Sequence, residues 1–435
     1  MSRLEELISQ YCPNGVIYKR FDEACTLHAR IGWQRLTKAE YKVTGDYMLI
    51  TGTDFTSSNE VNYKSCVYVS KDRYVQDPKI QIKDGDVLIT KDGTLGKVAQ
   101  VNNLPMPATL NGGVFVVRPK DESLLPRYVM HFLLSGHFQK VVEQQKTGST
   151  ISHLTQALFS RLLLPVPPLE VQREIVHILD NFTELTAELT AELTARKKQY
   201  EFYRNKLLTF GDVRGGATSD VIWRTLGEVI VSLNTGLNPR QFFKLNTDDA
   251  CNYYVTIREI QNGTIAFSDK TDKINDEALK LCNNRSNLEV GDVLFSGTGT
   301  IGETAVISKP PTNWNIKEGV YVIKPRKDMI NSRFLMYVLR TDVMKAAIAK
   351  KVAGGTVKSI PMAEMRKLQI PVPPLDTQKR LVNVLDNFES ICTDLNIGLP
   401  AEIEARQKQY EYYRDLLLTF AAEGATILTD RCGVN

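Results

Sequence analysis

LPVPPLEVQREIVHILDNF, residues Leu164–Phe182, returns as IPVPPLDTQKRLVNVLDNF, residues Ile370–Phe388, with 11 of 19 positions identical at a shift of 206. A second block, RKKQYEFYRNKLLTF from Arg196, returns from Arg406 as RQKQYEYYRDLLLTF with 11 of 15 identical, but at a shift of 210. Duplication on this scale sets the architecture ahead of any local pattern. The chain carries two copies of one module, and four extra residues separate the blocks of the second.

Downstream of each PVPPL the pattern is helical. Pro167 and Pro168 stop the preceding strand, and a proline is tolerated at a helix start, where its missing N–H has no intrahelical partner. Apolar residues then step by three or four through Ile175, Leu179, Phe182, Leu185, Leu189, Leu193, Tyr200, Tyr203 and Leu207. About 42 residues at 1.5 Å each would span roughly 60 Å. A stripe this long and narrow is best buried against a similar one, so the expectation is an antiparallel coiled-coil strut. In the second copy NIGLPAEIEA, residues Asn396–Ala405, should break the helix at Gly398 and Pro400. The first copy reads ELTAELTAELTA from Glu184, without a breaker. Tyr200, Tyr203, Tyr410 and Tyr413 read as interhelix packing in preference to DNA stacking, and Arg196, Lys197, Lys198, Arg406 and Lys408 as a solvated face or a partner contact in preference to phosphate binding.

Upstream of each block, Val16 to about Leu164 and Val221 to Ile370 show short apolar runs cut by Gly, Asn, Asp and Pro, mostly strand and turn. Landmarks recur: VIYKRF at Val16 and VIWRTL at Val221, GDVLITKDGTLG at Gly85 and GDVLFSGTGTIG at Gly291, NGGVFVVRPK at Asn111 and KEGVYVIKPR at Lys317. Between them the halves diverge, as HARIGWQRLTKAEY from His28 and SLNTGLNPRQFFKL from Ser232 illustrate. A scaffold retained under divergent loops is what specialisation for different ligands produces, because loops carry function.

A chain of 435 residues with 43% hydrophobic and 24% charged residues has the composition of folded domains and not of a disordered chain. A net charge of +4 permits nucleic-acid binding without arguing for it. Seven single cysteines form no CxxC pair, so neither a zinc site nor a disulfide framework is indicated. MSRLEELISQY lacks the apolar core of a signal peptide, and no window approaches the roughly 18 apolar residues of a membrane span. A cytoplasmic location is expected.

The two PVPPL–xxQ blocks, each followed by a QYxxYR helix, together with the internal TAELTAEL repeat, resemble the specificity subunits of type I restriction–modification enzymes. GDVL with GTxG, the RIGWQRLTKAEY run at Arg30 and the ITGTDF run at Ile50 are similar to one target recognition domain type of that family. The resemblance implies an α+β fold: two strand-rich target recognition domains in pseudo-two-fold arrangement, separated by long antiparallel helices. It implies a prokaryotic, non-catalytic subunit that reads a bipartite, asymmetric site in double-stranded DNA. Two methyltransferase subunits would dock on the helices, restriction subunits would join them, and S-adenosylmethionine, ATP and Mg would be held by those partners. The corresponding division is an N-terminal helix over 1–15, recognition domains over 16–166 and 212–372, helical spacers over 167–211 and 373–421, and a tail over 422–435. Rival readings are a bipartite-site restriction enzyme that cuts near its site and a coiled-coil adaptor without DNA binding.

The residues themselves supply no catalytic constellation. GTLGK at Gly93 is not a P-loop, because the leading glycine is missing and Val98 follows Lys97; no HExxH or Gly-rich cofactor turn occurs. Candidates for DNA contact are base-reading or phosphate-holding side chains in the divergent loops. In the first half these are Arg30, Trp33, Gln34, Arg35, Thr53 and Asp54. Trp33 reads either as a groove contact or as a core anchor, and the arginines either as contacts or as solvated charges. The second half offers Asn238, Arg240, Arg258 and Glu259. Lys91 and Thr94 flank the Gly93 turn, and Gly297, Thr298 and Thr300 occupy its partner, where glycine most simply supplies the positive φ of a hairpin and otherwise lets backbone approach phosphate closely. KTGSTISH from Lys146 (with Ser149, Thr150 and His153) parallels VAGGTVKS (with Thr356 and Lys358), as phosphate-positioning loops or as plain surface.

Overall fold

The computed structural model describes residues 2–30, 36–146, 154–210, 221–354, 357–394 and 398–420, apart from the side chains of Gln145 and Lys146. The chain divides into two compact units, Met1–Ala191 with Glu402–Asn435, and Glu192–Ala401. The fold is α+β, and both units repeat one topology.

In the first unit a four-stranded antiparallel sheet runs in the order Cys25–His28, Val114–Pro119, Val87–Thr90, Val98–Gln100. Beside it is a three-stranded sheet, Val67–Tyr68, Met48–Ile50, Ala108–Leu110, its last pair parallel. Ile17–Arg20 pairs with Leu163–Val166. In the second unit the same orders are Ile230–Thr235, Val320–Pro325, Val293–Ser296, Thr304–Val306, then Lys273–Ile274, Asn252–Val255, Trp314–Ile316, and Ile222–Thr225 with Gln369–Val372.

The central strand explains the layering. Val87–Thr90 is buried throughout, and because successive side chains alternate faces, Val87 and Ile89 enter one core while Leu88 enters another with Met48 and Ile50. Val293 and Phe295 part from Leu294 in the same way. Covering the first face are helices that the strand-and-turn reading missed: Pro126–Leu134 and Gly136–Lys146 in one unit, Ser332–Leu339 and Asp342–Ala349 in the other. PRYVMHFLL is buried on nearly every side, and its nine residues are too few to sustain the long three-and-four apolar stepping that marks the helices after each PVPPL.

The repeated PVPPLxxQ motif owes its glutamine to a clamp. Gln172, fully buried, donates from Nε2 to the carbonyls of Ser123 and Pro167 (both 2.7 Å) and accepts from Leu125 N–H at 2.9 Å. Gln378 donates to Met329 and Pro373 carbonyls at 3.0 and 2.8 Å and accepts from Asn331 N–H at 2.8 Å. Each glutamine thereby fixes where a helix leaves the sheets.

The first helical copy is continuous from Leu169 to Leu208, 40 residues. The second is broken into Leu375–Thr393 and Leu399–Leu417, with Gly398 and Pro400 at the restart as the sequence predicts. In the first unit Val171, Ile175 and Leu179 share a core with Leu4 of the N-terminal helix Arg3–Tyr11 and with Leu418, and Phe182 stacks on Tyr413 with ring centroids 5.4 Å apart. In the second, Tyr200 is buried beside Val382 and Leu385, and Tyr203 lies 5.8 Å from Phe388. Tyr200 and Tyr203 pack as expected, whereas Tyr413 stacks on Phe182 and stays exposed. The stripe is not buried along its whole length: Leu185 is exposed and Leu189 and Leu193 are half-buried, because the Thr-Ala-Glu-Leu run offers one large apolar side chain per four residues. Arg196, Arg406 and Lys408 make exposed pairs with Glu192, Glu402 and Glu404 one turn earlier, a solvated face.

Candidate nucleic-acid interface

Backbone hydrogen bonds gather the divergent loops onto one rim of each unit, where the three-stranded sheet ends. In the first unit Asn111 N–H donates to Ile50 O at 3.0 Å, just before the Thr51–Asp54 turn. Lys91 N–H donates to Gly113 O at 2.9 Å, and Leu154 N–H to Lys91 O at 3.0 Å. In the second unit Lys317 N–H donates to Val255 O at 2.8 Å, Gly297 N–H to Gly319 O at 2.8 Å, and Ile360 N–H to Gly297 O at 3.0 Å. The three bonds correspond one to one, every partner shifted by 206 residues except Val255, which lies 205 beyond Ile50. The second rim adds Glu318 N–H to Leu237 O at 3.1 Å and Gly299 N–H to Lys358 O at 2.9 Å, which bring the 237–240 and 357–359 segments to the same edge.

The predicted residues divide into those that build this rim and those that face outward from it. Arg30 builds it: 3% exposed, it donates to Leu110 O (3.0 Å), Gln76 Oε1 (3.2 Å), Thr109 Oγ1 (3.2 Å) and Arg73 O (3.3 Å). Burial lowers its pKa from the usual arginine value, and the four acceptors leave its guanidinium engaged inside the fold. Asp54 is buried and accepts from Thr51 N–H, Thr51 Oγ1 and Ser65 Oγ, each at 2.8 Å. Glu259 repeats the arrangement, accepting from Thr256 N–H and Oγ1 at 2.8 Å. Both carboxylates close capping boxes of short 3-10 turns. Asn238 caps the turn Pro239–Phe242 through Arg240 N–H at 3.0 Å.

Facing outward are Thr53 and Arg258, the third residues of the two matched turns, with Arg258 in an ion pair to Asp272 at 2.8 Å. Arg240, Thr94, Thr300 and Lys358 are exposed, and Thr298 is half-buried beside Ser359. Lys91 is half-buried, 3.4 Å from Asp92 and over the Phe115 ring. Gly93 adopts a φ of +73°, as expected; in the partner turn the positive φ, +80°, belongs to Gly299, and Gly297 is not among the positive-φ glycines. Gly297 serves space instead, since a Cβ there would lie 2.3 Å from the Tyr321 ring. Trp33, Gln34, Arg35, Ser149, Thr150, His153 and Thr356 lie outside the described residues, as does the 422–435 tail; Lys146 ends its helix, and its side chain is likewise undescribed.

Sequence reasoning passed over the turns at Asn111–Gly113 and Lys317–Gly319, although their recurrence was visible. It also passed over ion-pair networks on the sheet-covering helices. Arg127 and His131 converge on Asp180 at 2.8 and 2.9 Å. Arg333 and Tyr337 converge on Asp386, and Arg340 reaches Glu389 at 2.8 Å. Among the described residues no cluster of His, Cys, Asp or Glu could hold a metal ion, and no helix is long and apolar enough to cross a membrane.

The type I restriction modification DNA specificity domain matches the chain twice, over residues 19–196 and 219–405. The chain is 33% identical to the EcoR124I/EcoR124II specificity subunit of Escherichia coli over 69% of its length and 72% of that protein. It is 31% identical to a putative type I restriction enzyme specificity subunit of Haemophilus influenzae, over 77% of the chain and 83% of the relative. A chain from a solved structure of the type I R-M system shares the fold at a TM-score of 0.61 with 19% identity, covering 93% of this chain and 98% of that one. With the specificity domain matched twice over most of its length, the chain belongs to the family of type I restriction–modification specificity subunits.

Proposed function

We propose that this chain is the DNA-recognition subunit of a type I restriction–modification complex, each unit reading one half of a bipartite, asymmetric duplex site. The observation that carries this reading is the pair of matched rims with unmatched side chains. Thr53 and Arg258 sit on the same capped turn, and Asn111 and Lys317 on the same sheet-end turn. A common frame presents different chemistry, which suits two half-sites of different sequence. The outward-facing set Thr53, Lys91, Thr94, Arg240, Arg258, Thr298, Thr300 and Lys358 supplies the donors that phosphates and base edges accept.

In this reading the chain is non-catalytic. Methyltransferase subunits engage the helices and bring S-adenosylmethionine, while restriction subunits bring ATP and Mg. The test is co-expression with the partner methyltransferase followed by genome-wide mapping of modified adenines. The expected result is one split motif with unlike halves. Modification at an unsplit motif, or turnover by the isolated chain, contradicts it. An adaptor without DNA binding would show no steep loss of duplex affinity with salt.

A further inference from the structure

We propose that Lys317 is a phosphate-binding residue of the second unit, one that the first unit lacks; this rests on the DNA-recognition reading above. Lys317 and Asn111 hold the same register, each directly following the parallel strand of its three-stranded sheet. Their backbones do the same work, each N–H donating to the end of the neighbouring strand, Val255 or Ile50. Their side chains do not. Asn111 is occupied within the fold: Nδ2 donates to Tyr41 Oη and Oδ1 accepts from Gly113 N–H, both at 2.7 Å.

Lys317 is exposed and, among the described residues, its ammonium has no hydrogen-bond or ion-pair partner. Its main chain lies between two loops that carry cations. It bridges to Leu237, three residues before Arg240, and bonds to Val255, three residues before Arg258. Arg240 is likewise exposed and its guanidinium has no described partner, whereas Arg258 is tied to Asp272. The corresponding positions described in the first unit are Thr53 and Asn111, both neutral. The nearest opposing charge in sequence is Glu318, whose backbone N–H is held by Leu237 O. An unpaired ammonium on a rigid turn between two arginine-bearing loops matches the backbone of a duplex. A lysine there is a point charge and not a bidentate base reader.

The experiment uses the full chain assembled with its methyltransferase, titrated against its cognate duplex across a salt series. Lys317→Ala should weaken binding on the order of 10-fold at low salt and lower the salt slope by about one unit, for cognate and non-cognate duplex alike. Lys317→Arg should restore the slope. An unchanged affinity and slope in Lys317→Ala overturns the proposal. So does a loss confined to one base of one half-site at constant slope, which would make Lys317 a base reader. If the unsubstituted complex shows no salt-dependent duplex binding, both the recognition reading and this inference fall; if only the variant behaves like wild type, only this inference does.

Discussion

His131 and Tyr337 occupy the same position of the same helix in the two units, and each hydrogen-bonds the equivalent carboxylate, Asp180 at 2.9 Å and Asp386 at 2.5 Å. The carboxylates lie on the helices that come after the PVPPL blocks, so these bonds fasten each sheet-covering helix to the helical region. Only the first of the two side chains can change charge near neutrality.

Burial lowers the pKa of His131 from its ordinary 6.5, with Asp180 opposing that shift. The neutral ring suits its partners, Nε2–H donating to Asp180 and Nδ1 accepting from Tyr410 Oη at 3.1 Å. Above the unfolded value, both states are neutral and nothing is lost. As pH falls below it, the unfolded chain binds a proton that the folded unit refuses, and stability declines until the lower folded pKa is reached. Between pH 7.5 and 5.5 the wild type should therefore lose more stability than His131→Asn, measured by urea unfolding at each pH. Equal losses would remove His131 as the cause.

Gln378→Ala removes a fully buried side chain that makes three hydrogen bonds, and leaves two carbonyls and one N–H without it. Unpaired buried polar groups make this cost on the order of 3 kcal/mol. The urea midpoint of the second unit reports it, and a loss below about 1 kcal/mol would show that the clamp is not structural. Gln172→Ala should behave alike in the first unit.

Glycines of the second rim should separate by cause. A Cβ on Gly236 would lie 1.9 Å from the carbonyl oxygen of Ile316, backbone that has no room to move. Gly236→Ala should cost about 3 kcal/mol or more through overpacking. At Gly299 nothing lies within 4 Å and only the φ of +80° resists a side chain. Gly299→Ala should cost about 1–2 kcal/mol. Equal destabilisation of the two in thermal melts would contradict this assignment.

Under the recognition reading, inserting one more Thr-Ala-Glu-Leu after Leu193 lengthens the unbroken helix by about 6 Å and turns its distal part by about 40° beyond a full turn. One base pair turns B-DNA by roughly 34°. The preferred gap should grow by one base pair while both half-sites stay the same, a result that sequencing of methylated sites reads directly. An unchanged gap would dissociate the helix from spacing.

The sequence by itself determined what depends on neighbours a few residues away. The duplication, the unbroken first helix, the break at Gly398 and Pro400, and the positive-φ turn at Gly93 come from local identity, because proline and glycine act on their own backbone. Tertiary structure decided what each polar residue is for. Arg30 sits in a loop that reads as exposed, yet its acceptors come from Arg73, Gln76, Thr109 and Leu110, 43 to 80 residues on. Asp54 and Glu259 turned inward as caps while Thr53 and Arg258 beside them turned out. Lys317 stands out only once sheet register shows it to hold, in the second unit, the position that Asn111 holds in the first. Burial and register are set by partners distant in the chain, and a linear pattern carries no record of which side chains those partners will cover.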